Sequence, residues 1–227
     1  MPCTSERTAH YGLTWVLFAA ILSMLRQQPM KLSTAQVEEK LNTFDYTQLP
    51  KPGKNKGDRG QLFETALGIE NGSDLNDLID GELKSFTLTE PIAVTMLQHC
   101  LTQIIDDTVE FEDSKVYEKL KQTIYVAFDR AGNFLKSKTI NEANSPEHYQ
   151  ELAEDYGYIA AQIKAAYATG TELHTINGPN NLLQIRTKAN KRPDGTYKPL
   201  TYNGQQLKDK AMAFYLLGKF GREIVTM

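Results

Sequence analysis

The alternation of apolar and polar positions divides the chain into helices and strands in mixed order. The segment MKLSTAQVEEKL, beginning at Met30, opens into an amphipathic helix over 33–43, with Ser33 and Gln36 spaced as a capping box. A second helix is expected over about 58–67, with Leu62, Phe63, Ala66 and Leu67 on its apolar side and Gly68 as its stop. Segments 81–88, 92–97 and 123–128 read as strands, the last closed by a turn at 129–133, and 114–120 as a short helix. Ser145-Pro146-Glu147 starts a long helix, with Ser as cap and Pro in the first helical position, running to Thr169 before Gly170. Residues 182–187 form another strand, a polar loop extends to Gly204, and 211–217 is apolar and of either type. The pattern predicts an α/β fold, a mixed sheet with helices packed on it, without repeats.

Composition narrows the classes. A chain of 227 residues, 41% apolar and 23% charged, can bury one substantial core but is short for two. Cys3 and Cys100 form no CxxC pair, which indicates neither a disulfide framework nor a zinc site and fits a reducing, cytoplasmic setting. The four histidines have no metal spacing. The net charge of −3 is not that of a protein coated in positive charge, yet basic residues gather locally. Lys51, Lys54, Lys56 and Arg59 form one group, and Arg186, Lys188, Lys191, Arg192 and Lys198 another. Both a basic cleft and plain solvated loops fit that distribution.

The apolar run at 11–25 falls short of the roughly 20 residues of a membrane-spanning helix. As a signal peptide it has Glu6 beside Arg7 in its leading segment and no A-x-A site after it. The reading favoured here is that translation begins at Met30. Residues 1–29 would then be an extension and 30–227 a single domain, with no membrane involvement.

Chemistry concentrates at 73–84, SDLNDLIDGELK. In a strand, Glu82 and Lys84 face one way and Leu83 the other. A carboxylate beside an ammonium, with an Asp shortly before, suits metal-assisted hydrolysis: Asp and Glu give Mg²⁺ the hard oxygen ligands it prefers, and Lys84 can orient water or stabilise developing charge. The bare pattern D-x(5–10)-E-x-K is weak, and a salt bridge on an exposed strand is its commoner meaning. Upstream, KGDRGQLFE at 56–64 places Glu64 among Leu62, Phe63 and Leu67, where a buried carboxylate needs a partner.

With KGxxGxxxE at 56–64, Glu-Leu-Lys at 82–84, Lys119-Leu120-Lys121 before TIYVAF, LQIRTKA at 183–189 and Phe214-Tyr215-Leu216, the chain resembles the MutH mismatch-repair endonuclease family and its type II restriction relatives over 51–225. The resemblance implies a restriction-endonuclease-like, PD-(D/E)xK fold: a mixed central sheet flanked by helices. It implies an active site of Glu64, Asp74, Glu82, Lys84 and Lys119, with Glu64, Asp74 and Glu82 as ligands of Mg²⁺. Lys56, Arg186, Lys188 and Tyr215 become DNA-binding residues. The family's metal Asp stands seven residues before the Glu, where this chain has Leu75; Asp74 lies eight before and Asp77 five before, so Asp74 is preferred and Asp77 is the alternate. The family's Gly two before the Glu is replaced by Asp80, with Gly81 shifted by one. In residue terms, Arg186 can pair bidentately with guanine and Lys188 can reach a base edge or phosphate. Tyr215 can sense a methyl group, although an aromatic there is more often core.

The expectation is a site-specific Mg²⁺-dependent endonuclease acting on double-stranded DNA, a type II restriction enzyme at a GATC-like site. The alternatives are a MutH-type nicking enzyme that works with a MutL-type partner, and a DNA-binding relative without catalysis.

Overall fold

In the computed structural model, which describes residues 31–49, 56–69 and 76–227, the capping box at Ser33 forms. Its hydroxyl accepts from the Gln36 backbone, and the Gln36 side chain accepts from the Ser33 backbone, starting helix α1 (Thr34–Thr43). Helix α2 (Lys56–Leu67) ends at Gly68 in a left-handed conformation, φ 76°. Its apolar side is narrower than expected: Phe63 and Leu67 are buried, whereas Leu62 and Ala66 are exposed.

Strands β1 (Glu82–Thr87), β3 (Gln122–Phe128) and β4 (Phe134–Asn141) form a sheet of mixed direction in the order β1-β3-β4, with β1 parallel to β3 and β4 antiparallel to it. Leu83, Ile124, Val126 and Phe128 turn one face of this sheet toward Val37 and Leu41 of α1 and Phe63 and Leu67 of α2. Phe86, Tyr125 and Ala127 turn the other face into a larger core. That core is shared with a four-stranded sheet in the order β2-β9-β6-β5: β2 (Ile92–Met96), β5 (Ile176–Asn177), β6 (Leu183–Thr187) and β9 (Met212–Leu216). Helices α1 and α2 cover one face of the first sheet, the other face packs into the core shared with the second sheet, and the molecule is a mixed α/β protein. The segment at 211–217 resolves as a strand, buried throughout between β2 and β6.

Helix α3 (Lys115–Leu120) is capped by Ser114 as its spacing predicts, the hydroxyl accepting from the Tyr117 backbone. At the long helix α4 (Pro146–Thr169), Ser145 occupies the cap position but its hydroxyl bonds Asn144 instead. The polar stretch after β6 contains β7 (Leu200–Tyr202), joined to β8 (Gln205–Lys208) through Asn203 and Gly204, both at positive φ. Helix α5 (Gly218–Thr226) closes the chain.

Residues 32–227 make one compact unit. Among the described residues no helix is long and apolar enough to cross a membrane, and the run at 11–25 lies outside them.

Candidate active site

The start of β1 is held by packing and hydrogen bonds that leave little freedom. A Cβ on Gly81 would fall 2.4 Å from the Gln122 carbonyl oxygen and 2.8 Å from Thr34 Cγ2, so only glycine lets β1 come this close to β3 and α1. Asp80, two residues before Glu82, ties the same three elements together. Its carboxylate accepts from the Thr34 backbone at 2.7 Å, the Thr34 hydroxyl at 2.8 Å and Gln122 Nε2 at 3.2 Å. Asp80 is therefore a structural clamp that sets where Glu82 begins.

Glu82 is 1% exposed, at the start of the strand. Its carboxylate is saturated: Lys84 Nζ donates to Oε1, Lys119 Nζ donates to Oε1 at 2.9 Å and Oε2 at 3.1 Å, and the Asp77 backbone donates to Oε2 at 3.1 Å. Lys84 also lies 3.8 Å from the Asp77 carboxylate. Lys84 reaches Glu82 because residues two apart share a strand face. Lys119 arrives from the last turn of α3, whose end is fixed by the Thr123 hydroxyl donating to the Lys119 carbonyl at 3.0 Å.

The electrostatics follow from that geometry. Burial acts to raise the pKa of Glu82, but the two adjacent ammonium groups overcome it and hold it below the usual carboxylate range. Asp77 moves the other way, raised by burial and by the Glu82 charge against the pull of Lys84. A proton taken up by this pair therefore resides on Asp77. Glu64, on α2, is pushed up to about 7 by burial and by the charges of Asp77 and Glu82, with Lys84 opposing. Three carboxylates and two lysines form one coupled group.

The sequence-derived residues are thus brought together at Glu64, Glu82, Lys84 and Lys119. Asp77, the alternate aspartate, is in contact with them; Asp74 lies outside the described residues. Lys56 is the first residue of α2. Among the described residues, no three His, Cys, Asp or Glu side chains converge as a preformed metal cage. Mg²⁺ usually takes only one or two protein carboxylates beside water and substrate phosphate. Asp77 and Glu82 can supply that pair, and a cation there would offset the burial, and the lesser repulsion, that raise Glu64 and Asp77. The donor set fits.

The residues expected to read DNA occupy a second, adjoining surface. Arg186 stacks its guanidinium 4.4 Å from the centre of the Tyr215 ring, and Lys188 Nζ lies 5.9 Å from it. Tyr215 is buried, with its phenol raised by that burial against the Arg186 charge. Lys188 joins this surface to the carboxylate group: its ammonium is lowered by partial burial and by the charge of Lys84, although much of the side chain is exposed. Sequence reading passed over Gln184, which pairs directly with Tyr215 across the β6–β9 ladder. Its signal is there in retrospect, since period-two alternation places Gln184 on the face of Arg186 and Lys188.

No family model matches the chain, and no curated protein matches it.

Proposed function

We propose that the chain is a cytoplasmic, Mg²⁺-dependent endonuclease of double-stranded DNA, with a PD-(D/E)xK core similar to that of the MutH family and its type II restriction relatives. The observation that carries this reading is the buried Glu82, gripped by Lys84 and Lys119 beside Asp77, with Glu64 coupled to them. Five residues from four places in the sequence converge where the D…E-x-K pattern alone would allow a surface salt bridge. A salt bridge on an exposed strand does not bury its carboxylate to 1%.

Asp77 and Glu82 would hold the metal, with Asp74 the competing aspartate and Glu64 a third carboxylate that would serve as an oxygen donor. When bound, Mg²⁺ supplies Lewis-acid chemistry to the phosphodiester. Lys119, bonded to both Glu82 oxygens, keeps that carboxylate oriented. Lys84, more exposed than Glu82, would leave Oε1 to orient the attacking water and stabilise charge developing on the phosphate. Arg186, Lys188 and Tyr215 would face the bases and backbone of the substrate, with Lys188 nearest the scissile phosphate.

Within this class we assign restriction at a GATC-like site rather than MutL-directed nicking, on the departures at Asp80 and in the stretch 188–204. The test is incubation of unmethylated, hemimethylated and fully methylated plasmid with Mg²⁺. Restriction gives linear product from unmethylated plasmid without a partner protein, and nicked product alone assigns the repair role. Duplex binding without either product assigns the non-catalytic relative.

A further inference from the structure

Strand β6 presents two unlike faces. Leu183 and Ile185 enter the core, while Gln184 and Arg186 turn the other way. Pairing sets Asn177 of β5, Gln184 of β6 and Tyr215 of β9 in one row across the sheet, continued by Ala93 of β2. Arg186 stands one pleat along, over the Tyr215 ring. Gln184 is 8% exposed, and its Nε2 donates to Asn177 Oδ1, which fixes the carboxamide. Among the described residues, its Oε1 is buried without a hydrogen-bond partner. Folded proteins leave few such acceptors, because the lost hydration is not recovered elsewhere.

We infer that Gln184 is a specificity-determining residue whose Oε1 accepts a hydrogen bond from the exocyclic amino group of an adenine or cytosine in the major groove. The inference rests on the DNA-cleaving reading of the neighbouring site. Chemistry narrows the ligand. Phosphate oxygens accept and cannot donate, so this atom is no backbone contact. In the major groove guanine shows acceptors and thymine an acceptor and a methyl, whereas adenine N6 and cytosine N4 carry donor hydrogens. The usual two-bond glutamine–adenine pair is closed to Gln184, because Asn177 already holds its donor. One acceptor remains, which separates amino bases from oxo bases and no further. Residues two apart on a strand lie about 6.8 Å apart, roughly two base steps. The amino base is therefore within a step or two of the base contacted by Arg186, which must leave Tyr215 to reach it, and the side chains that close Gln184 Oε1 to solvent must part as the DNA docks.

The test compares cleavage by wild type, Gln184→Leu and Gln184→Glu on every single-base variant of the wild-type cleavage site, with thermal melting of each protein. Wild type should require adenine or cytosine at one position near the Arg186-dependent base. Gln184→Leu should lose that requirement on the order of tenfold, at that position alone, while its Tm stays level or rises because the stranded acceptor is gone. Gln184→Glu, which keeps an acceptor, should retain the preference. An unchanged base profile in Gln184→Leu overturns the inference and leaves the nuclease reading standing. So does a lowered Tm with uniformly weaker cleavage, which marks Gln184 as purely structural. Wild-type protein that neither binds nor cuts duplex DNA removes the nuclease reading, and this inference with it.

Discussion

At the scale of single residues, the candidate site is a balance of like and unlike charges. Glu64 carries a pKa of about 7, against about 4.3 for a free glutamate. The folded protein therefore keeps a proton that the unfolded chain releases. That contribution to stability is complete below the free value and is lost as pH rises through about 7. Melting temperature should fall between pH 5 and 7.5, and Glu64→Gln should flatten the fall; an unaltered slope would take Glu64 out of the coupled group. Mg²⁺ competes with the same proton, so it should raise Tm more at pH 8 than at pH 5.5. The aspartate is decided by Asp74→Asn and Asp77→Asn assayed at saturating Mg²⁺. Contact with Glu82 favours Asp77, so Asp77→Asn should remove activity and Asp74→Asn should spare it; the reverse outcome returns the role to Asp74.

At the scale of elements, strand β6 depends on the carboxylate of Asp155. Asp155 of α4 is fully buried and accepts from the backbones of Asn180 at 2.7 Å and of Leu182 and Leu183 at 2.8 Å each. It pins the turn that launches β6. Asp155→Ala strands three backbone donors and should cost about 2–4 kcal/mol in denaturant melts; a loss under 1 kcal/mol would show that water replaces it. Which elements were legible has a physical reason. Helices announced by caps, such as that at Ser33, and strands that are apolar runs, such as 123–128, follow from local rules. Strand β4, FLKSKTIN, escaped because its outer positions are polar and its place is set by pairing with β3. Helix α5 escaped because two glycines lower its intrinsic propensity. Those glycines serve tertiary packing instead: a Cβ on Gly218 would meet the Thr89 carbonyl at 2.6 Å, and one on Gly221 the Phe86 ring at 2.8 Å. In the site, period-two geometry gave Glu82 with Lys84. The clamping role of Asp80 was not legible, because its partners Thr34 and Gln122 are distant in sequence.

At the scale of the whole molecule, a net charge of −3 coexists with a basic arm that follows strand β6. The arm is braced at its base by the Lys188 amide donating to the Ala211 carbonyl at 2.8 Å and the Ala211 amide donating to the Lys198 carbonyl at 2.9 Å. A turn closes its tip, with the Arg192 amide donating to the Thr196 carbonyl at 2.7 Å. Lys191, Arg192 and Lys198 are exposed on it. Replacing all three with alanine should weaken DNA binding equally for all sequences and shallow the slope of log affinity against log salt by about 2–3. An unchanged slope would place the arm off the DNA. If Glu82 is the pivot of a metal-dependent phosphodiesterase, plasmid cleavage by Glu82→Gln beside wild type, with duplex binding followed in parallel, will show it. Wild type should cut with Mg²⁺ and stop when the metal is chelated. Glu82→Gln should bind duplex at least as tightly, having lost a negative charge beside the phosphate, and should not cut. Cleavage by Glu82→Gln at a rate near that of wild type would contradict the assignment.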